Sequence, residues 1–248
     1  METRYVFDKD GTITPPNKAI EKKHIPVFAS FIEKHKTTLL TARDLQTCLE
    51  HIVYPLTEFS SDINLQNLSF ACSNGAQIYV FKNNTYKKMS TDSNALGNRD
   101  KIETDLDSTY KEALRITREV FPEASIEIRG DFFAALPCIP RNSSTQKRNS
   151  LDPNATKRRE ITLSLKKIFP DFFEILPGGK TSIDIAVINK EYGMRHIIGY
   201  FQVQNPSDVH YFGDSFEGGN DEPVKNIQGI HIHEVGNPDD TFGYLKTL

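Results

Sequence analysis

Arg4-Tyr5-Val6-Phe7 is a short β-prone run stopped abruptly by Asp8-Lys9-Asp10-Gly11-Thr12, and repetition of that punctuation constrains the fold. Helical periodicity follows over 20–35. A second run at 37–40 is closed by Thr41, then by Ala42-Arg43-Asp44 and another helical stretch. A third, 68–72, ends at Ser73-Asn74-Gly75. Short strands alternating with helices predict a parallel sheet, because parallel neighbours need a crossover of about a helix's length between them.

Ala76 to Lys82 reads as hairpin-like, with Asn83-Asn84 at its turn, and from there the texture changes. Residues 83–186 hold long charged helices and isolated strand candidates at 125–129, 132–136 and 182–188. After Lys190 the alternation resumes: a helix over 191–200, a strand at 210–212, a glycine-rich acidic loop and a strand near 230–234. The expectation is an α/β fold, a Rossmann-like parallel-sheet core over residues 1–82 and 187–248 with an inserted α+β domain at 83–186.

Composition narrows the partners. With 30 basic against 33 acidic side chains, net charge −3, there is no global basic field to hold nucleic acid or an anionic membrane. Cys48, Cys72 and Cys138 are isolated and odd in number, which suits free thiols in a reducing compartment. The sequence has no signal-like apolar stretch and no segment of transmembrane length, so a cytoplasmic location is expected. Locally, Arg141, Lys147, Arg148, Lys157, Arg158 and Arg159 stand against Asp152 alone, either a solvated helix start or an anion-binding surface. His231 and His233 alternate with isoleucines as one polar strand face, and Phe132-Phe133 and Phe172-Phe173 read as core of the inserted domain.

Asp8 and Asp10 lie two residues apart just past a strand, so their carboxylates project into one crevice. Three later features lie at the ends of strands in the same way. Thr41 offers a hydroxyl that can bind a phosphoryl oxygen or cap a helix. Lys190, with Lys180 as a nearby competitor, can neutralise a phosphoryl group. Gly213-Asp214-Ser215 and Gly218-Gly219-Asn220-Asp221 add two more carboxylates. Four such groups cannot crowd together without a counter-charge, and a hard divalent cation of the magnesium type supplies one through oxygen ligands. The pattern predicts phosphoryl transfer, with Asp8 attacking phosphorus and Asp10 exchanging general-acid and general-base roles.

DKDGT, Thr41, Lys190 and GDSFEGGND resemble, in order, the motifs of the haloacid dehalogenase superfamily, and the long insert resembles its C2-type cap. DKDGTITPP, TSIDI and YFGDSFEGGNDEPV are most similar to eukaryotic phosphomannomutase and its bacterial relatives. The resemblance implies Asp8 as nucleophile and Asp10 as acid/base, with Thr41 and Lys190 on phosphate and Asp8, Asp10, Asp214 and Asp221 around Mg2+. It also implies that Arg129, Arg141 and Arg148 grip a distal phosphate, that Ser182 and Asp184 contact the sugar, and that a homodimer forms through the cap. One departure stands out, since Asn17 occupies the position where the mutases carry an arginine.

Three readings follow. The leading one is a phosphatase of sugar phosphates or similar small phosphorylated metabolites. The alternative is a phosphohexomutase interconverting hexose 1- and 6-phosphates through a bisphosphate, favoured by Arg141 and Arg148 and opposed by Asn17. The third, a metal- and phosphate-binding module without turnover, is opposed by the intact Asp8 and Asp10.

Overall fold

The computed structural model describes residues 2–100, 106–129 and 132–248. Strand β1 (Arg4–Phe7) leads through α1 (Ile25–Lys34) to β2 (Lys36–Leu40). Helices α2 (Leu45–Cys48) and α3 (Tyr54–Phe59), joined by a π-helical turn, lead on to β3 (Leu68–Cys72). The helix expected over 20–35 starts later because Pro26, with its fixed φ, sits in its first turn. An antiparallel hairpin follows, β4 (Gln77–Lys82) and β5 (Thr85–Thr91).

Helices α4 (Ser93–Asp100) and α5 (Leu106–Val120) open the insert, followed by β6 (Glu127–Ile128), β7 (Phe133–Pro137), α6 (Thr145–Ser150), α7 (Thr156–Leu165), β8 (Glu174–Gly178) and β9 (Ser182–Ala186). The chain then returns to the core with α8 (Lys190–Tyr200), β10 (Val209–Gly213), β11 (His231–Glu234) and α9 (Pro238–Leu245).

The core sheet runs β11-β10-β1-β2-β3-β4-β5, parallel from β11 to β3 and antiparallel at β4 and β5. Its central strands are buried on both faces. Tyr5, Phe7, Leu39 and Phe70 pack on one side with α1, α3 and α9, while Val6, Leu40 and Ala71 meet Met194 and Ile197 of α8 on the other. The boundary expected at residue 82 falls in the β4–β5 turn, since β5 pairs with the core sheet. Its sequence Thr-Tyr-Lys-Lys-Met-Ser-Thr is polar because an edge strand keeps water on one face, which hid it from an apolar-run reading.

The second sheet, β6-β7-β9-β8, is antiparallel throughout. Ile183 and Ile185 of β9 pack with Ala113 of α5 and Ile161 and Leu165 of α7. Strand periodicity sends Ser182, Asp184 and Ala186 to the opposite face, with Phe133 and Ala135 beside them, and Phe133, Ala135 and Ala186 close on Ala42 of the core. The insert therefore turns this face, like a lid, toward the carboxyl end of β2, where Ala42 lies.

Candidate active site

The neighbours of β1, namely β2 and β10, lie on either side of it, and their connections diverge there. Such a switch point leaves a crevice beyond the strand ends. Asp8 leaves β1 into that crevice and Asp214 leaves β10 into it. Gly11 is fixed by the closeness of these two loops: its φ is +103°, and a Cβ there would lie 2.1 Å from an Asp214 carboxylate oxygen.

The nucleophile candidate is held by a buried lysine. Lys190, the first residue of α8, donates from Nζ to Asp8 Oδ1 at 2.6 Å and to Asp221 Oδ1 at 2.5 Å. Burial pulls its pKa down, but Asp221 and Asp8 outweigh that and hold the ammonium well above its ordinary range. Asp221 is fully buried and accepts four donors: Lys190 Nζ, the Tyr211 hydroxyl at 2.5 Å, and the backbone N–H groups of Asp214 and Ser215 at 3.1 and 2.9 Å. About four lone-pair positions is all a carboxylate has.

Carboxylate oxygens of Asp8, Asp214 and Asp221 all lie within 4.8 Å of one another. Burial first, then the neighbouring carboxylates, push Asp214 up to about 8, and Lys190 limits Asp8 to about 6. Asp10 departs from the expected cluster of four. Its carboxylate turns aside to Arg43 Nε at 2.7 Å, Lys9 Nζ at 3.2 Å and the Asn17 backbone N–H at 2.7 Å. Burial opposes ionisation there, yet Lys9 and Arg43 outweigh it and hold Asp10 well below the usual carboxylate range.

Thr41 is buried at the end of β2, its Oγ1 accepting the Arg43 backbone N–H at 3.2 Å. Facing these groups across a cavity of about 210 Å³ are Arg129, Arg141, Arg148, Ser182 and Asp184, all in its wall with Asp8, Asp10, Thr41 and Asp214. Glu127 receives Arg141 through two bonds of 2.8 and 2.9 Å and also takes Arg129, which splays two guanidinium groups toward the cavity. Asp184 is raised by burial against the pull of Arg129 and Arg141. Ser182 spends its hydroxyl proton on the Gly178 carbonyl at 2.7 Å. Lys180 lies at the rim and contacts Asn149, so Lys190 alone of the two reaches Asp8.

The sequence profile of eukaryotic phosphomannomutase matches residues 63–248. The chain belongs to the eukaryotic phosphomannomutase family. With that family goes the haloacid dehalogenase superfamily. The phosphomannomutase of Saccharomyces cerevisiae is 29% identical across 100% of this chain and 94% of its own length. That of Encephalitozoon cuniculi is 26% identical, over 97% and 91%. Among solved structures, N-terminally truncated, IMP-bound Plasmodium falciparum IMP-nucleotidase has a TM-score of 0.68 at 16% identity, covering 99% of this chain and 68% of that one, a likeness of fold.

Arg43 and Tyr211 are the site residues that sequence reasoning passed over. Arg43 follows Thr41 by two residues at the same sheet edge, which was the available signal, and its Nη2 also donates to the Asn17 side-chain oxygen. Tyr211 lies two residues before Gly213 in β10, and its fully buried hydroxyl finds Asp221.

Proposed function

We propose that the protein is a magnesium-dependent phosphohexomutase, interconverting mannose or related hexose 1- and 6-phosphates in the cytoplasm. The observation that carries this reading is one cavity lined both by Asp8 and by the three arginines Arg129, Arg141 and Arg148. Hydrolysis needs one phosphate site, whereas a mutase must grip a second phosphate while the first is transferred. Family membership supports the same reading and moves weight from the phosphatase expected from sequence. Hydrolysis is the second reading, favoured by the uncharged Asn17.

In the proposed reaction the phosphorylated Asp8 carboxylate gives its phosphoryl group to a sugar hydroxyl. The hydroxyl oxygen bonds to phosphorus, the bond from phosphorus to the Asp8 oxygen breaks, and Asp10, ionised beside Arg43, takes the hydroxyl proton. After the resulting bisphosphate turns, Asp8 attacks its other phosphate, the ester bond breaks, and Asp10 returns the proton to the leaving oxygen. Asp8, Asp214 and Asp221 form an all-oxygen donor set that fits magnesium, and Asp221 also orients Lys190 and the Asp214 loop. Asp10, drawn to Arg43, serves as acid/base. Bound magnesium supplies charge that offsets the phosphoryl oxygens as they approach the carboxylates.

The test follows mannose 1-phosphate by phosphorus NMR with magnesium and a hexose bisphosphate activator. Isomerisation is expected, and Asp8→Asn should lower it at least about a thousandfold. Phosphate release without isomerisation would establish the phosphatase instead.

A further inference from the structure

Beside the catalytic cavity lies a larger cleft of about 540 Å³, bounded by the α6–α7 connection of the lid and by the loop after β10. The two share Arg148, Gly179, Lys180 and Ser215 in their walls, so they adjoin. Ligand sites for small molecules run to roughly 300–1,000 Å³. The catalytic cavity, at about 210 Å³, lies below that range, and the neighbouring cleft, at about 540 Å³, lies within it.

The cleft is lined by cations whose hydrogen-bond partners are neutral. Arg148 donates to the Arg141 carbonyl at 3.3 Å, Arg159 to the Glu217 carbonyl at 3.4 Å, and Lys180 to the Asn149 side-chain oxygen at 3.2 Å. Among the described residues none of these three is paired with a carboxylate. Asp152, the acid nearest the α7 start, is consumed by the Arg158 guanidinium at 3.1 Å and by the N–H groups of Lys157 and Arg158. Arg158 is itself spent, on Asp152 and on the carbonyls of Gly179 and Ser182. This differs from the catalytic cavity, where Glu127 already offsets Arg129 and Arg141. Three cations facing one cleft against the single exposed carboxylate of Glu217 make a site for a multiply charged anion.

We propose that this cleft is a second anion subsite that holds one phosphate of the hexose bisphosphate while the sugar turns end for end, so that the intermediate is kept between its two transfers. The inference rests on the mutase reading. Arg148 and Lys180 line both spaces, so a phosphate passing from one to the other stays beside cations. Arg159 belongs to the cleft alone.

The experiment compares wild type with Arg159→Ala and Arg159→Glu, each shown by thermal unfolding to be folded. Two quantities are read: the concentration of added hexose 1,6-bisphosphate giving half-maximal isomerisation, and the escape of labelled bisphosphate into an unlabelled pool during turnover. Loss of one charge-assisted contact should raise the half-saturating activator about tenfold in Arg159→Ala, and further in Arg159→Glu. Escape should rise in parallel, with the change falling on activator requirement rather than on the rate at saturation. A wild type that isomerises while both variants match it in activator requirement and escape overturns the cleft and leaves the mutase reading standing. A wild type that releases phosphate without isomerising overturns both.

Discussion

Arg43 answers the difficulty posed by Asn17. The uncharged amide at position 17 cannot grip phosphate as an arginine would, but its side-chain oxygen accepts from Arg43 Nη2 while its backbone N–H holds Asp10. The guanidinium therefore lies beside position 17 in the wall of the same cavity, supplied from the loop after β2. It is mostly buried, bonded to Asp10, and feels Asp184 and Glu127 of the lid, so it serves both walls of the cavity. Arg43→Ala should lower kcat/KM by about 10- to 100-fold, the worth of one or two charge-assisted hydrogen bonds. Adding Asn17→Arg to that variant should recover much of the loss, whereas Asn17→Ala should not; failure of the rescue would mean that Arg43 acts only by orienting Asp10. Asp8, Thr41 and Asp214 were legible in the sequence because each punctuates a strand, and Lys190 because it opens a helix, although the strand before it, β9, belongs to the antiparallel second sheet and not to the parallel core. Arg43 was not, since its role depends on a spatial neighbour 26 positions away that no spacing rule connects to it.

At the scale of elements, strand parity and one helix contact place the chemistry. Parity in β9 was readable from Thr-Ser-Ile-Asp-Ile and does put Ser182 and Asp184 on one face. Strand β8 was not readable, because Pro177 argues against a strand; it is tolerated at the sheet edge, where its missing N–H breaks no ladder. Helix α8 carries Lys190 and is set against the Asn74–Gly75 turn through Gly193, where a Cβ would lie 2.0 Å from the Asn74 carbonyl oxygen and 2.9 Å from Gly75 Cα. Gly193→Ala must push the helix away, costing about 1–3 kcal/mol and drawing Lys190 off Asp8. Gly199, in the same helix, is the control, since a Cβ there would meet nothing within 4 Å. Gly199→Ala should gain about 0.5–1 kcal/mol through helix propensity with activity intact. Urea unfolding and kcat measured on both variants check the contrast; equal effects would show that the α8 contact does not set the site.

Across the whole molecule, five of the seven histidines share one bias. His24, His35, His51, His210 and His233 are all held below the ordinary imidazole value, in each case first by burial, and His233 falls to about 4. Their settings explain this: His24 stacks on Phe242, while His233 lies between Phe212 and His210 and bonds His210 at 2.9 Å. The polar strand face expected at His231 and His233 is thus half-built into packing, which sequence alternation alone does not distinguish from a solvated edge. The unfolded chain protonates these rings near pH ~6.5, before the folded one does. Folded stability from them is complete above that value and is lost as pH falls through the depressed folded values toward about 4. Asp8 and Asp214 are raised and act in the opposite sense, so the measurement belongs in saturating magnesium, which, bound as proposed, would keep both ionised. Urea midpoints there should fall steadily from pH 7 to pH 5. His233→Gln, which removes the most depressed ring, should flatten that slope, and a midpoint independent of pH over this interval would show that the buried imidazoles accept protons as readily folded as unfolded.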